Sequence, residues 1–246
     1  MKQEWVFGIH TISALLKHKP ELVQKVFVQS GRLDERISSI TDQCNSLGLP
    51  VEVLDRVELD QKAQGVHQGV IALCTEIKLE YDEHYLTKLL DRLQHPPLLL
   101  ILDGVTDPHN LGACIRSAEA AGADAVIIPK DKSAQLNATV RKVACGAAEI
   151  LPLITVTNLA RCLEALKKRG VWLMGAAGEA EKSLFTADLK GAIALILGAE
   201  EKGLRRLTRE HCDQLLAIPL QGETSSLNVS VSAGVFLFEA LRQRMS

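Results

Sequence analysis

The sequence predicts an α/β protein whose C-terminal part is a doubly wound parallel sheet, and three observations lead there. Leu98-Leu-Leu-Ile-Leu102 is an unbroken apolar run, the mark of a strand covered on both faces. From that run onward, strand-like and helix-like segments alternate, as a parallel sheet with crossover helices requires. Three turns rich in Gly, Ser, Asn and Pro, within residues 195–203, 218–222 and 225–234, each sit beside an apolar stretch. They belong at the edge of a buried sheet, where such folds bind ligands.

Taken in order, residues 9–16 place Ile9, Ile12, Leu15 and Leu16 on one helical face. Residues 25–28, 51–54 and 69–73 read as strands, and residues 34–47 as a helix closed by Gly48. Residues 1–76 thus form a small α/β domain. Residues 77–96 have few apolar runs, many charges and Pro96-Pro97 at their margin, which predicts a linker with one helix over 82–92. The second domain, residues 97–246, starts with the strand 98–102 and a helix opened by Asp107-Pro108 and stopped by Gly122. Strands follow over 125–128, 151–155, 171–175 and 193–197, with helices over 137–145 and 159–169. In the last helix, 227–245, Val231, Val235, Phe238 and Leu241 recur at helical spacing beside small Ser230, Ala233 and Gly234. That face is either internal core or half of a two-fold interface.

Composition excludes several classes. The chain has 246 residues, 47% hydrophobic and 24% charged, as expected for a globular protein with a sizeable core. No apolar run approaches the roughly 20 residues of a membrane span, and the start lacks a signal-peptide core, so a cytoplasmic location is expected. The six cysteines contain no CxxC pair and read as reduced core residues, with neither a metal nor a disulfide framework indicated. A net charge of −2 argues against gripping nucleic acid by bulk electrostatics. Any RNA contact must be local, and Lys202, Arg205, Arg206 and Arg209, or Arg141 and Lys142, are the candidates for phosphate contacts. A solvated helix face is the alternative for such runs. No Gly-rich dinucleotide turn, P-loop or HExxH occurs.

The turns make an ordered set with an upstream motif. Asn110-Leu-Gly-Ala-Cys-Ile-Arg116, Leu197-Gly-Ala-Glu-Glu-Lys-Gly203, Ile218-Pro-Leu-Gln-Gly222 and Ser226-Leu-Asn-Val-Ser-Val-Ser-Ala-Gly234 follow one another in that order. Each alone is compatible with an ordinary strand-to-loop turn. Together they resemble the motifs of the SpoU/TrmH (SPOUT) family of RNA ribose 2'-O-methyltransferases. In the first domain, Phe7-Gly-Ile-His10 and Val66-His-Gln-Gly69 resemble the L30e-like RNA-recognition domain of the members that modify large-subunit ribosomal RNA. Charge alone does not say so, because residues 1–76 hold eight Lys and Arg against ten Asp and Glu. His10 and His67 read either as structural or as contacts to RNA bases.

The resemblance implies methyl transfer to the ribose 2'-hydroxyl of a guanosine in 23S rRNA, with S-adenosylmethionine as cofactor and no metal. It implies a C-terminal trefoil knot with the segment 222–228 tucked through, and a homodimer in which Arg116 serves the partner's cofactor. The cofactor would be held mostly by main-chain groups near Gly198, Ile218 and Leu227, whose other reading is core packing. The acceptor side would be served by Arg116, Asn110, Glu200, Ser226 and Asn228. A guanidinium resists deprotonation, so gripping a phosphate is a safer role for Arg116 than acting as a base. A plain Arg116–Glu200 ion pair is the structural alternative. Two other functions share these motifs: a transfer RNA ribose methyltransferase and a non-catalytic RNA-binding assembly factor.

Overall fold

A computed structural model describes residues 3–31, 34–63, 66–75, 80–199 and 202–245. The chain forms two compact units, Met1–Leu79 with Cys145–Ile150, and Glu80–Ala144 with Leu151–Ser246.

The first unit contains β1 (Gln3–Phe7), α1 (Ile9–His18), β2 (Val23–Gln29), α2 (Glu35–Ser46), β3 (Val51–Leu54), α3 (Arg56–Lys62) and β4 (Val70–Thr75). Its sheet has the order β1-β4-β2-β3, with β4 antiparallel to both neighbours and β3 parallel to β2. Ile9, Ile12, Leu15 and Leu16 are the buried face of α1, as their spacing predicts. Asp55 and Glu58 close a capping box at the start of α3, satisfying backbone N–H groups at both of their positions. His67 is buried, with Nε2 2.9 Å from Asp60 and Nδ1 accepting from the Gly69 backbone N–H at 2.9 Å. That is the structural reading of His67. His10, in contrast, is exposed at the head of α1.

The second unit begins with β5 (Glu80–Tyr81), α4 (Glu83–Arg92), β6 (Leu98–Asp103), α5 (Pro108–Ala120), β7 (Ala125–Pro129) and α6 (Ala138–Ala144). The helix expected over 137–145 stops there because Cys145 and Gly146 take φ of 51° and 91°, outside the helical region. A short α7 (Ala147–Ile150) then packs on α1 within the first unit. The chain continues as β8 (Leu153–Val156), α8 (Leu159–Lys168), β9 (Trp172–Ala176), β10 (Ile193–Gly198), α9 (Arg206–His211), β11 (Gln214–Leu216) and α10 (Val229–Arg244).

The large sheet has the order β11-β9-β10-β6-β7-β8-β5, and every pair in it is parallel. All residues of β6 are buried, which fits its uninterrupted apolar sequence. Burial of each leucine there contributes about 1.5–3 kcal/mol. Leu99 and Ile101, together with Ile127, Ile154 and Ile196 of the neighbouring strands, share one core with Leu159, Leu163 and Leu166 of α8. The segment expected as a linker departs from that description over its described part. Tyr81 and Ile154 are paired across β5 and β8, and Tyr85, Leu86, Leu89 and Leu90 of α4 pack on the same core. Its charges occupy the other side of α4, so low average hydrophobicity concealed a buried stripe.

β6 and β10 lie side by side, but the chain leaves them toward opposite edges of the sheet. The crevice beyond their C-terminal ends is therefore the topological switch point, the place where such sheets bind ligands. Among the described residues no helix is long and apolar enough to cross a membrane, and no group of three or more potential metal-ligating His, Cys, Asp or Glu side chains occurs. Cys44, Cys162 and Cys212 are outside any disulfide.

Candidate active site

Two neighbouring cavities open at the switch point. The first is walled by the ends of β9, β10 and β11 and by the start of α10. Leu197, Leu216, Ile218, Leu227, Val229 and Phe236 supply its apolar surface, and Ser225, Ser226 and Ser232 its hydroxyls. Gly198 makes this geometry possible by carrying no side chain. A Cβ there would sit on the carbonyl carbon and oxygen of Gly203, where the loop folds back so that the Gly203 N–H donates to Ala199 O at 2.8 Å. The segment after β11 passes the opposite wall, with the Ser225 carbonyl oxygen 4.0 Å from where a Gly178 Cβ would stand.

The second cavity adjoins the first through Ala199, Gly203 and Val229, and is otherwise lined by residues that include Asp103, Thr106, Asn110, Lys132, Lys202 and Arg205. Asp103 is buried at the end of β6, where its carboxylate accepts from the Arg205 backbone N–H at 2.9 Å and from the Arg205 guanidinium. A buried carboxylate without such partners would be costly, so this pair ties the loop after β10 to the end of β6. A further brace stands beside the second cavity: the Asn228 amide donates to Asn110 Oδ1 at 3.0 Å, while Asn228 Oδ1 accepts from Ser230 N and caps α10.

Residues 97–238 match the SpoU rRNA Methylase family, and residues 5–80 match the RNA 2'-O ribose methyltransferase substrate binding family. A Pseudomonas aeruginosa protein named 23S rRNA (guanosine-2'-O-)-methyltransferase RlmB is 58% identical over 241 residues, covering 98% of this chain and 97% of its own. The chain belongs to the SpoU methylase family. An Escherichia coli K12 protein of the same name is 54% identical, covering 98% of this chain and 99% of its own. Among solved structures, the crystal structure of an RNA 2'-O ribose methyltransferase superposes with a TM-score of 0.79 at 28% identity, over 99% of this chain and 90% of that one. The SpoU methyltransferase AviRb from Streptomyces viridochromogenes, solved with AdoMet, shares the fold, with a TM-score of 0.78 at 23% identity over 99% and 91% of the two chains. The second unit thus has the α/β fold of the SpoU/TrmH (SPOUT) methyltransferases.

Against the SpoU motifs, the expected cofactor residues Gly198, Ile218 and Leu227 all line the first cavity. Ser226, expected among the acceptor-side groups, lines the same cavity. Asn110 lines the second cavity and Asn228 reaches it through their hydrogen bond. Arg116 is exposed on α5 and lines neither cavity, and Gly112 on the same helix has a packing role. A Cβ at Gly112 would lie 2.8 Å from both Val140 O and Val143 Cβ, so α5 and α6 touch only because that atom is missing. Glu200 lies outside the described residues. Of the cations expected at phosphates, Arg205 pairs with Asp103, Arg206 with Glu210 and Arg209 with Glu179. The Arg209 guanidinium holds the Glu179 carboxyl below its usual range. Sequence reasoning missed Ala176, Ala177 and Gly178 as cavity wall. Their signal was a run of small residues at a strand end, where a ligand can approach the main chain closely.

The first cavity suits S-adenosylmethionine. Apolar side chains face the space from several sides, as an adenine ring requires, and hydroxyls with turn backbone supply donors and acceptors for its edge and for the amino-acid end.

Proposed function

We propose that this protein transfers a methyl group from S-adenosylmethionine to the ribose 2'-hydroxyl of a specific guanosine in 23S rRNA. The observation that carries the reading is the pair of cavities at the switch point, one largely apolar and one lined by Lys132, Lys202 and Arg205, which adjoin at Ala199, Gly203 and Val229. The names of the relatives from P. aeruginosa and E. coli supply the nucleotide and the RNA.

When bound, S-adenosylmethionine supplies a methyl group on a positively charged sulfur. The work left to the protein is alignment, which supplies roughly 7–11 kcal/mol when two reactants are held in line. Ile218, Leu227 and Phe236 take up the adenosine, and the Asn110–Asn228 bond ties the start of α5 to the start of α10 beside them. Arg116 grips a phosphate beside the acceptor ribose and favours the ionised 2'-oxygen by its charge, the hydroxyl proton passing to water. Ser226 and Glu200 orient the reacting groups.

Two copies associate through α10, and Arg116 serves the partner's site. The support is that Arg116 is exposed outside its own cavities, while Val231 and Phe238 are exposed on α10 with relative accessibilities of 51% and 49%. Residues 1–76 recognise the RNA, residues 77–96 connect them to the methyltransferase domain at 97–246, and the protein works in the cytoplasm on ribosomal RNA.

The test is mapping of ribose methylation across ribosomal RNA from a strain lacking the gene, before and after incubation with pure protein and S-adenosylmethionine. One guanosine of 23S rRNA is expected to regain its methyl group. Methylation of transfer RNA alone, or RNA binding without transfer, would overturn the reading.

A further inference from the structure

The second cavity carries two lysines: Lys202, a candidate for phosphate contact from the sequence, and Lys132, which lies in none of the SpoU motifs. Lys132, in the loop after β7, and Lys202, in the loop after β10, reach its wall from opposite sides of β6. Neither enters an ion pair among the described residues. The other charged groups there are committed: Asp103 and Arg205 to each other, and Asp107 to the cap of α5 through the His109 N–H at 3.0 Å.

Lys132 is also held in an unfavourable backbone. Its φ is 56°, the left-handed region that side chains disfavour. The loop is clamped there by the Ala134 N–H donating to Val105 O at 2.8 Å and by the Ser133 hydroxyl on the same oxygen at 3.4 Å. Backbone strain that the surroundings hold in place clusters at active sites and ligand clamps. Ammonium groups on long flexible stems suit a phosphate whose position varies, since they act as point charges and demand no fixed bidentate geometry.

We propose that Lys132 and Lys202 form a phosphodiester-binding pair that positions the acceptor nucleotide over the second cavity; this rests on the methyltransferase reading above. It also explains how a chain of net charge −2 engages RNA: by a local cationic pair at the reacting nucleotide.

The experiment uses the full-length protein with Lys132→Gly, Lys132→Arg and Lys202→Ala. Glycine accepts the left-handed backbone, so Lys132→Gly removes the charge without straining the fold. Lys132→Gly and Lys202→Ala are each expected to raise the KM for ribosomal RNA roughly tenfold, with the calorimetric Kd for S-adenosylmethionine unchanged. Each should also flatten the log–log dependence of RNA affinity on salt by about 0.7, the loss of one phosphate contact to single-stranded RNA. Lys132→Arg should restore both. An unchanged KM and salt slope would overturn the pair, and weaker binding of S-adenosylmethionine would reassign the lysines to its carboxylate. Wild-type protein that neither binds S-adenosylmethionine nor methylates RNA would instead overturn the underlying function, an outcome distinct from these.

Discussion

Asn228 serves two structures at once, since its Oδ1 accepts from Ser230 N to start α10 and its amide donates to Asn110 on α5. Asn228→Ala removes a cap worth about 1 kcal/mol and a hydrogen bond worth about the same. Calorimetric unfolding should show a Tm lower by roughly 4–8 °C. Asn228→Asp keeps the cap and loses the donor, so it should recover about half of that stability while turnover stays depressed. Arg116 behaves differently because it is exposed. Arg116→Ala should leave Tm and the calorimetric affinity for S-adenosylmethionine nearly intact and lower single-turnover methylation by about 10²-fold or more. Parallel loss of cofactor binding would mean that Arg116 shapes the pocket. Both asparagines and the arginine stand out in the sequence as motif positions. The Asn110–Asn228 bond does not, because it joins residues 118 apart.

The helix α10 carries two unlike faces. Ala233, Phe236, Leu237 and Ala240 are buried, whereas Val231 and Phe238 remain exposed seven positions apart, with half-buried Val235 between them. The apolar spacing that predicts this helix cannot separate an internal face from an intermolecular one, since both are lined by the same residue types. Phe238→Glu puts a charge on the exposed face without entering the core. Sedimentation should report a folded monomer, and turnover should fall while circular dichroism is unchanged. A dimer that survives this change would place the two-fold contact elsewhere. α4 teaches a related lesson. Tyr85, Leu86, Leu89 and Leu90 form a stripe that packs on the large-sheet core, yet charged neighbours make its average composition that of a linker.

For the molecule as a whole, a ligand that binds only the folded state stabilises it by mass action. S-adenosylmethionine at about 100 times its Kd should add roughly 2.7 kcal/mol, or on the order of 5–10 °C in Tm. Gly198→Ala should remove that shift, because a methyl group there cannot coexist with the backbone of Gly203. The parallel sheet, its helices and the ligand-bearing turns were readable along the chain, because apolar period, caps and turn residues are properties of near neighbours. Which groups meet was not readable in that way. Arg205 stands in a run of surface-looking cations, and it was strand order that brought it onto Asp103, 102 residues earlier. The same order set Ser226 in the apolar cavity, turned Gly112 into a contact between helices and left Arg116 facing outward. Partnership across such separations depends on how β6 and β10 come to lie side by side, and no local pattern of residues encodes that adjacency.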